Sequence, residues 1–196
     1  MTVQQLTEQL SLRRCDLSAL CRDAVQQAET HAPAGSAKFI VQVPEHADAL
    51  IDARLVRTAI YNLLTNALRA TPEDGEITVS LTDTRDFVTI AVADTGPGLD
   101  PAKFDDLLSG WRRTTSIDDY RALVRGGTPL GLGLPLVNKI AQANGRLLLT
   151  QREGGGSVLH LCLAHLPHTL EDDLFRAPTI IEDGYTAEEI EFSILE

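Results

Sequence analysis

The sequence predicts an α/β chain of the two-layer α+β type: a mixed, mostly antiparallel sheet of about five strands, covered on one face by three helices. Three observations carry that expectation. The apolar pattern switches between periods near 3.6 and 2 in the order helix, strand, helix, hairpin, helix, hairpin. The paired strand-like runs are joined by short polar turns, as antiparallel neighbours require. With 196 residues and 43% hydrophobic composition, the chain can bury one sizeable core.

Taken in order, residues 2–14 place Leu6, Leu10 and Leu12 among Gln, Thr and Glu, as in the trailing end of a helix. Residues 1–15 are therefore expected to be a helical remnant or linker. Asp16 then suits the N-cap of a helix with Leu17, Leu20, Cys21, Ala24, Val25 and Ala28 on one face. Residues 32–37 read as a loop, and Phe39 to Val43 as a strand ended by Pro44. Asp52 begins the most strongly amphipathic run, whose stripe is Leu55, Val56, Ala59, Ile60, Leu63, Leu64 and Ala67, with Pro72 and Gly75 to stop it. Glu76–Thr82 and Phe87–Ala93 form a hairpin signal. Residues 99–130 show little periodicity, and a polar segment of that length inside a compact domain is usually functional or mobile. A helix from about Leu132 to Asn144 follows, with Gly145 at C′. Arg146–Arg152, the turn Glu153-Gly154-Gly155-Gly156 and Ser157–Leu163 give a second hairpin. The main domain is expected over residues 16–168.

The net charge is −11 and the isoelectric point near 4.8, which disfavours nucleic acid and anionic membrane as main partners. Residues 169–196 carry nine acids against the single base Arg176, a net −8, and read as an acidic C-terminal tail. No apolar run reaches spanning length and no signal-peptide core is present, so a cytoplasmic chain without membrane contact is expected. Cys15, Cys21 and Cys162 lack metal-ligand spacing and read as reduced thiols.

Three polar clusters interrupt this apolar plan. Asn62, Asn66 and Arg69 are spaced i, i+4, i+7 and form one stripe on the Asp52-capped helix, away from its core face. Two amides and a cation so aligned can offer oxygens to a hydrated Mg²⁺ and positive charge to phosphate. Asp94 ends a strand and opens the turn Asp94-Thr95-Gly96-Pro97-Gly98. Its carboxylate can accept from an exocyclic amine, while Gly96 and Gly98 let backbone approach a flat base. Gly131 and Gly133 precede the next helix, whose unpaired N–H groups attract anions. Alone, each cluster has a plainer explanation: a solvated helix face, an Asp-initiated turn, a flexible helix entry. Together, in this order, they describe one nucleotide site with no P-loop.

On these residues the chain resembles the ATP-binding catalytic domain of bacterial sensor histidine kinases, within the GHKL ATPase superfamily with its Bergerat-type ATP site. The resemblance runs from about Asp16 to Leu163. It is carried by the N-box from Asn62 to Arg69, the G1 box from Asp94 to Leu99, and the G2 box Gly131-Leu132-Gly133-Leu134, with Phe104 similar to the F-box aromatic. It implies ATP and Mg²⁺ as cofactors, with Asn66 as the metal ligand. Asn62 would be its neighbour on metal or phosphates, and Arg69 a phosphate contact, so that these three residues form the catalytic group. Asp94 would hold the adenine amino group and Gly96 and Gly98 would line the base pocket. Residues 99–130 would be the ATP lid, with Arg112 or Arg113 touching the triphosphate, and residues 131–134 would give N–H groups to phosphate.

Three departures qualify the likeness. Ala70 stands where many members carry an aromatic, and Pro129 replaces the first glycine of the usual Gly-x-Gly-x-Gly run. None of His31, His46, His160, His165 and His168 lies in a phosphoacceptor signature. The expected activity is thus transfer of the γ-phosphoryl group of Mg·ATP to a histidine on a separate dimerisation domain and, through it, to a response regulator. The alternatives are a nucleotide-binding regulatory module with weak catalysis and a serine kinase of the anti-sigma-factor type. Hydrolysis of the chaperone and gyrase kind is disfavoured, because those relatives place a water-activating Glu where this chain has Asn62.

Overall fold

In the computed structural model, residues 11–110 and 133–165 are described. The elements are β1 (Arg13–Asp16), α1 (Leu17–His31), β2 (Lys38–Gln42), β3 (Asp48–Ile51), α2 (Ala53–Ala70), β4 (Glu76–Asp83) and β5 (Phe87–Asp94). They continue with α3 (Pro101–Gly110), α4 (Gly133–Asn144), β6 (Gly145–Gln151) and β7 (Ser157–Ala164). Five strands form one mixed sheet in the order β2-β4-β5-β7-β6. Only β2 and β4 run parallel; the other neighbours are antiparallel. This is the expected sheet. A separate ribbon pairs β1 with β3.

The two-residue period of the strands decides which face is dry. Val79, Val92 and Leu159 lie side by side in register, and so do Leu81, Ile90, Leu161 and Leu147. All of these are buried, and they meet the buried stripes of α1, α2 and α4 in one cluster. Ile60, Leu63 and Leu64 of α2 sit at its centre, and burial of such a side chain is worth about 1.5–3 kcal/mol. The same alternation makes Asp94 the last inward position of β5, opposite Ile77 of β4. A carboxylate is thereby held on the helical side of the sheet.

Both predicted helix caps are present. Asp52 Oδ1 accepts from the amides of Arg54 and Leu55 at 3.1 and 3.2 Å, while its Oδ2 accepts from Ser11 N at 3.1 Å. Asp16 Oδ1 accepts from Ser18 N and Ala19 N and also from Ala47 N across the loop before β3. His46 Nδ1 lies 2.7 Å from Asp16 Oδ2. That hydrogen bond, helped by the three amides, lowers the Asp16 carboxyl from 3.8 to about 2. The folded value lies below the ordinary one, so this contribution to stability is complete above about pH 4 and is lost as pH falls toward 2. Thermal melts of the chain and of Asp16→Asn across that window should show a steeper acid loss in the unaltered chain. Parallel curves would mean that other carboxylates govern the acid limb.

The structure corrects three readings. Residues 13–15 are not the end of a helix but strand β1, paired with β3, which the sequence reading passed over. Four-residue strands such as Arg-Arg-Cys-Asp and Asp-Ala-Leu-Ile are too short to show a period, and only their long-range pairing defines them. The first part of the long segment is helix α3, with Asp100 accepting from Ala102 N and Pro101 in the first turn. Gly145 is the first residue of β6 rather than a left-handed cap: a Cβ there would overlap the Cys162 carbonyl. Burial raises the Cys21 thiol to about 12 and also raises Cys15, so neither is a ready nucleophile. Among the described residues no helix is long and apolar enough to cross a membrane.

Candidate functional site

The site is assembled at one end of the sheet by α2, the turn after β5, the start of α4 and the β6–β7 hairpin. On α2 the predicted polar stripe lies beside the core stripe, with Asn62 and Asn66 half-buried and Arg69 exposed in the last turn. Asn62 Nδ2 donates to Thr58 O at 2.8 Å, which leaves its carbonyl oxygen turned the other way. That oxygen faces α4. A Cβ on Gly133 would lie 2.7 Å from Asn62 Oδ1 and 3.4 Å from Asn66 Nδ2. A side chain at Gly133 would push the Asn62 carboxamide aside; glycine lets the N-terminus of α4, whose first N–H groups have no partner within the helix, rest on the asparagine stripe.

Asn66 carries a further signal. Its Nδ2 is buried and has no hydrogen-bond partner. Leaving a buried amide unpaired costs about 1–3 kcal/mol, so the group calls for a partner; the other such atom among the described residues is Ser18 Oγ of α1. The last torsion of an asparagine is broad and roughly two-fold, so exchanging nitrogen and oxygen would bring the amide oxygen to the space beside Gly133. Leu134, the next residue, points into the core and anchors the α4 start from below.

Asp94 is 7% exposed, and its Oδ1 accepts from Gly96 N at 2.8 Å, which shapes the turn. The turn is pressed against the end of α2: a Cβ on Gly96 would overlap the Ala70 carbonyl. Ala70, a departure from the usual aromatic, is therefore the residue whose backbone the loop crosses. Thr95 ties the same turn to β4, with Glu76 N donating to Thr95 Oγ1 at 2.9 Å and Thr95 N to Glu76 O at 3.2 Å. Gly98 has φ +83°, a conformation that an L side chain rarely adopts.

Sequence reasoning missed the supports of this loop. Leu99 N donates to the buried Ser157 Oγ at 2.6 Å, and Gln151 Nε2 donates to Leu99 O at 2.7 Å. Gly156 passes so close beneath Asp94 that a Cβ would overlap the Asp94 carbonyl. The run Gly154-Gly155-Gly156-Ser157 carried only part of the signal: all three glycines adopt the positive φ of the turn, and Gly156 alone is also pressed against Asp94. Phe104 of α3 is buried, and α3 packs on α4. Arg112, Arg113, Gly131 and Leu132, the distal part of the lid segment and the acidic tail lie outside the described residues.

So Gly133 meets Asn62 and Asn66 on α2, and Gly96 of the Asp94 turn meets Ala70 at the end of the same helix, where Arg69 is exposed. A family model described as histidine kinase-, DNA gyrase B- and HSP90-like ATPase matches residues 51–168. The adaptive-response sensory kinase SasA of Gloeothece citriformis is 32% identical over 165 residues, 82% of this chain and 40% of its own length. The sensor-like histidine kinase SenX3 of Mycolicibacterium smegmatis is 31% identical over 153 residues, 78% of this chain and 38% of its own. The chain thus spans about two-fifths of the curated relatives it matches. Among solved structures, the catalytic domain of histidine kinase ThkA superposes with TM-score 0.66 at 21% identity, covering 79% of this chain and 96% of that one. Histidine kinase AdeS of Acinetobacter baumannii gives 0.63 at 19% identity, covering 83% and 74%. At these identities the two structures speak for the fold.

Proposed function

The chain belongs to the histidine kinase-, DNA gyrase B- and HSP90-like ATPase family, and from that premise we propose that it binds Mg·ATP and presents the γ-phosphoryl group to a histidine on a separate dimerisation domain, which passes it to a response regulator. The observation that carries this reading is the seat of Gly133 on Asn62 and Asn66. It joins a polar helix stripe to a helix N-terminus, with no side chain between them, across a separation of about seventy residues.

The division of labour follows from the chemistry of each group. Asp94 accepts from the adenine amino group at the buried end, while Gly96 and Gly98 leave room for the base. The first N–H groups of α4 and the Arg69 guanidinium face the phosphates. Among the described residues no three His, Cys, Asp or Glu side chains converge on a metal site. The donors that fit a cation here are amide oxygens, with Asn66, its buried amide uncommitted, as the protein ligand and Asn62 beside it. Such sparse oxygen ligation suits Mg²⁺, which keeps waters and phosphate oxygens around it. When bound, the ion supplies neutralisation of charge on the β- and γ-phosphates. The chain's own contribution is to hold the phosphates in line and exclude competing water. No acid lies on the Asn62–Asn66–Arg69 stripe to activate a water, which favours transfer over hydrolysis.

Calorimetric titration of Asn66→Ala with ATP, with and without Mg²⁺, should show the Mg²⁺-dependent gain in affinity lost, while metal-free binding stays near that of the unaltered chain. With γ-labelled ATP, the chain should label a separate histidine-bearing helical hairpin and not itself. Labelling of a serine-bearing partner instead would assign the anti-sigma type of kinase, and an undiminished Mg²⁺ effect in Asn66→Ala would remove the metal assignment.

A further inference from the structure

Both backbone groups of Leu99 are held by side chains from the same hairpin. Its N–H donates to Ser157 Oγ at 2.6 Å and its carbonyl accepts from Gln151 Nε2 at 2.7 Å. The two holders are cross-strand partners, since Gln151 of β6 pairs with Ser157 of β7. Side chains of directly opposed residues stand on one face about 5 Å apart, a gap one extended residue can bridge. Leu99 lies between Gly98, which closes the Asp94 turn at φ +83°, and Asp100, which caps α3. The carboxamide also runs along Gly98: a Cβ there would come within 3.2 Å of Gln151 Oε1. The contact is therefore made to a backbone whose shape the turn, the hairpin and the next helix all share.

We propose that Gln151 is a positioning residue for the base-binding turn, holding the Leu99 carbonyl so that Gly96–Leu99 is already in binding shape and α3 leaves the sheet in a fixed direction. This rests on the nucleotide reading of the site. Gln151 is an exposed residue at the end of a strand, so the fold itself needs it little. Its effect is felt where loop order must otherwise be supplied on binding. Because the turn serves the base end, a looser turn weakens every adenine ligand by the same factor, however many phosphates it carries.

The test is titration of adenosine, ADP and ATP into the chain and into Gln151→Met, Gln151→Glu and Gln151→Lys, with amide exchange at Leu99 followed in each. Met removes the donor without charge, Glu removes it with similar shape, and Lys restores an N–H donor. Met should weaken all three ligands by the same factor, about three- to tenfold, and Glu, whose carboxylate repels the Leu99 carbonyl, should weaken adenosine at least as much. Leu99 N–H exchange should quicken, melting temperatures should stay nearly unchanged, and Lys should recover adenosine affinity. Unchanged affinity, a loss confined to Glu, or a loss that grows with phosphate number in Met would overturn the role. Failure of the unaltered chain to bind any of the three would instead remove the nucleotide reading on which it stands.

Discussion

Replacing Asp94 with alanine should weaken adenine-nucleotide binding by about 1–3 kcal/mol, roughly 5- to 150-fold in Kd. The carboxylate is buried at the last inward position of β5, and one of its oxygens already holds Gly96 N. Alanine removes both the acceptor for the base and the hydrogen bond that shapes the turn. Asp94→Asn separates the two effects. An asparagine can keep an oxygen on Gly96 N, but it then offers an N–H₂ where the adenine amino group needs an acceptor. If Asp94 reads the base, Asn should bind ATP nearly as poorly as Ala while melting close to the unaltered chain. If it only shapes the turn, Asn should bind well and the adenine assignment would fall. Guanosine nucleotides, whose six-position is a carbonyl, provide the specificity control: Asn should narrow the preference for adenine over guanine.

The parts of the fold with a long period were legible without coordinates. The stripes of α1, α2 and α4, the two hairpins and both Asp caps follow from residue type and spacing, because each is decided within a dozen residues. The polar clusters were legible for the same reason: Asn62, Asn66 and Arg69 are one helix face. What the sequence does not carry is who stands opposite. The β1–β3 ribbon has strands of four residues and exists only through its pairing. Gln151 and Ser157 are unremarkable in a hairpin until Leu99 arrives from more than fifty residues away. The orphaned amide of Asn66 is likewise a property of its surroundings, since its neighbours decide whether water can reach it. Helix α3 was within reach, through Asp100 before Pro101, but its few apolar residues set no clear stripe.

The glycines of the β6–β7 turn give a test in which close approach can be separated from backbone strain. Gly154, Gly155 and Gly156 all have positive φ, at 87°, 106° and 99°. An alanine at any of them should cost about 1–3 kcal/mol for the strained conformation alone. Nothing lies within 4 Å of a Cβ on Gly154 or Gly155, whereas a Cβ on Gly156 would overlap the Asp94 carbonyl oxygen. Gly156→Ala therefore adds an overpacking cost of about 1–3 kcal/mol, for roughly 2–6 kcal/mol in all. That should lower the melting temperature by about 5 °C or more, well beyond either neighbour. The displaced group is the backbone of the residue proposed to read adenine. Nucleotide affinity measured well below the melting temperature should thus collapse in Gly156→Ala but persist in Gly154→Ala and Gly155→Ala. Equal losses at all three positions would mean that the turn tolerates the added methyl by swinging away. The hairpin would then be a passive cover rather than the floor that fixes Asp94.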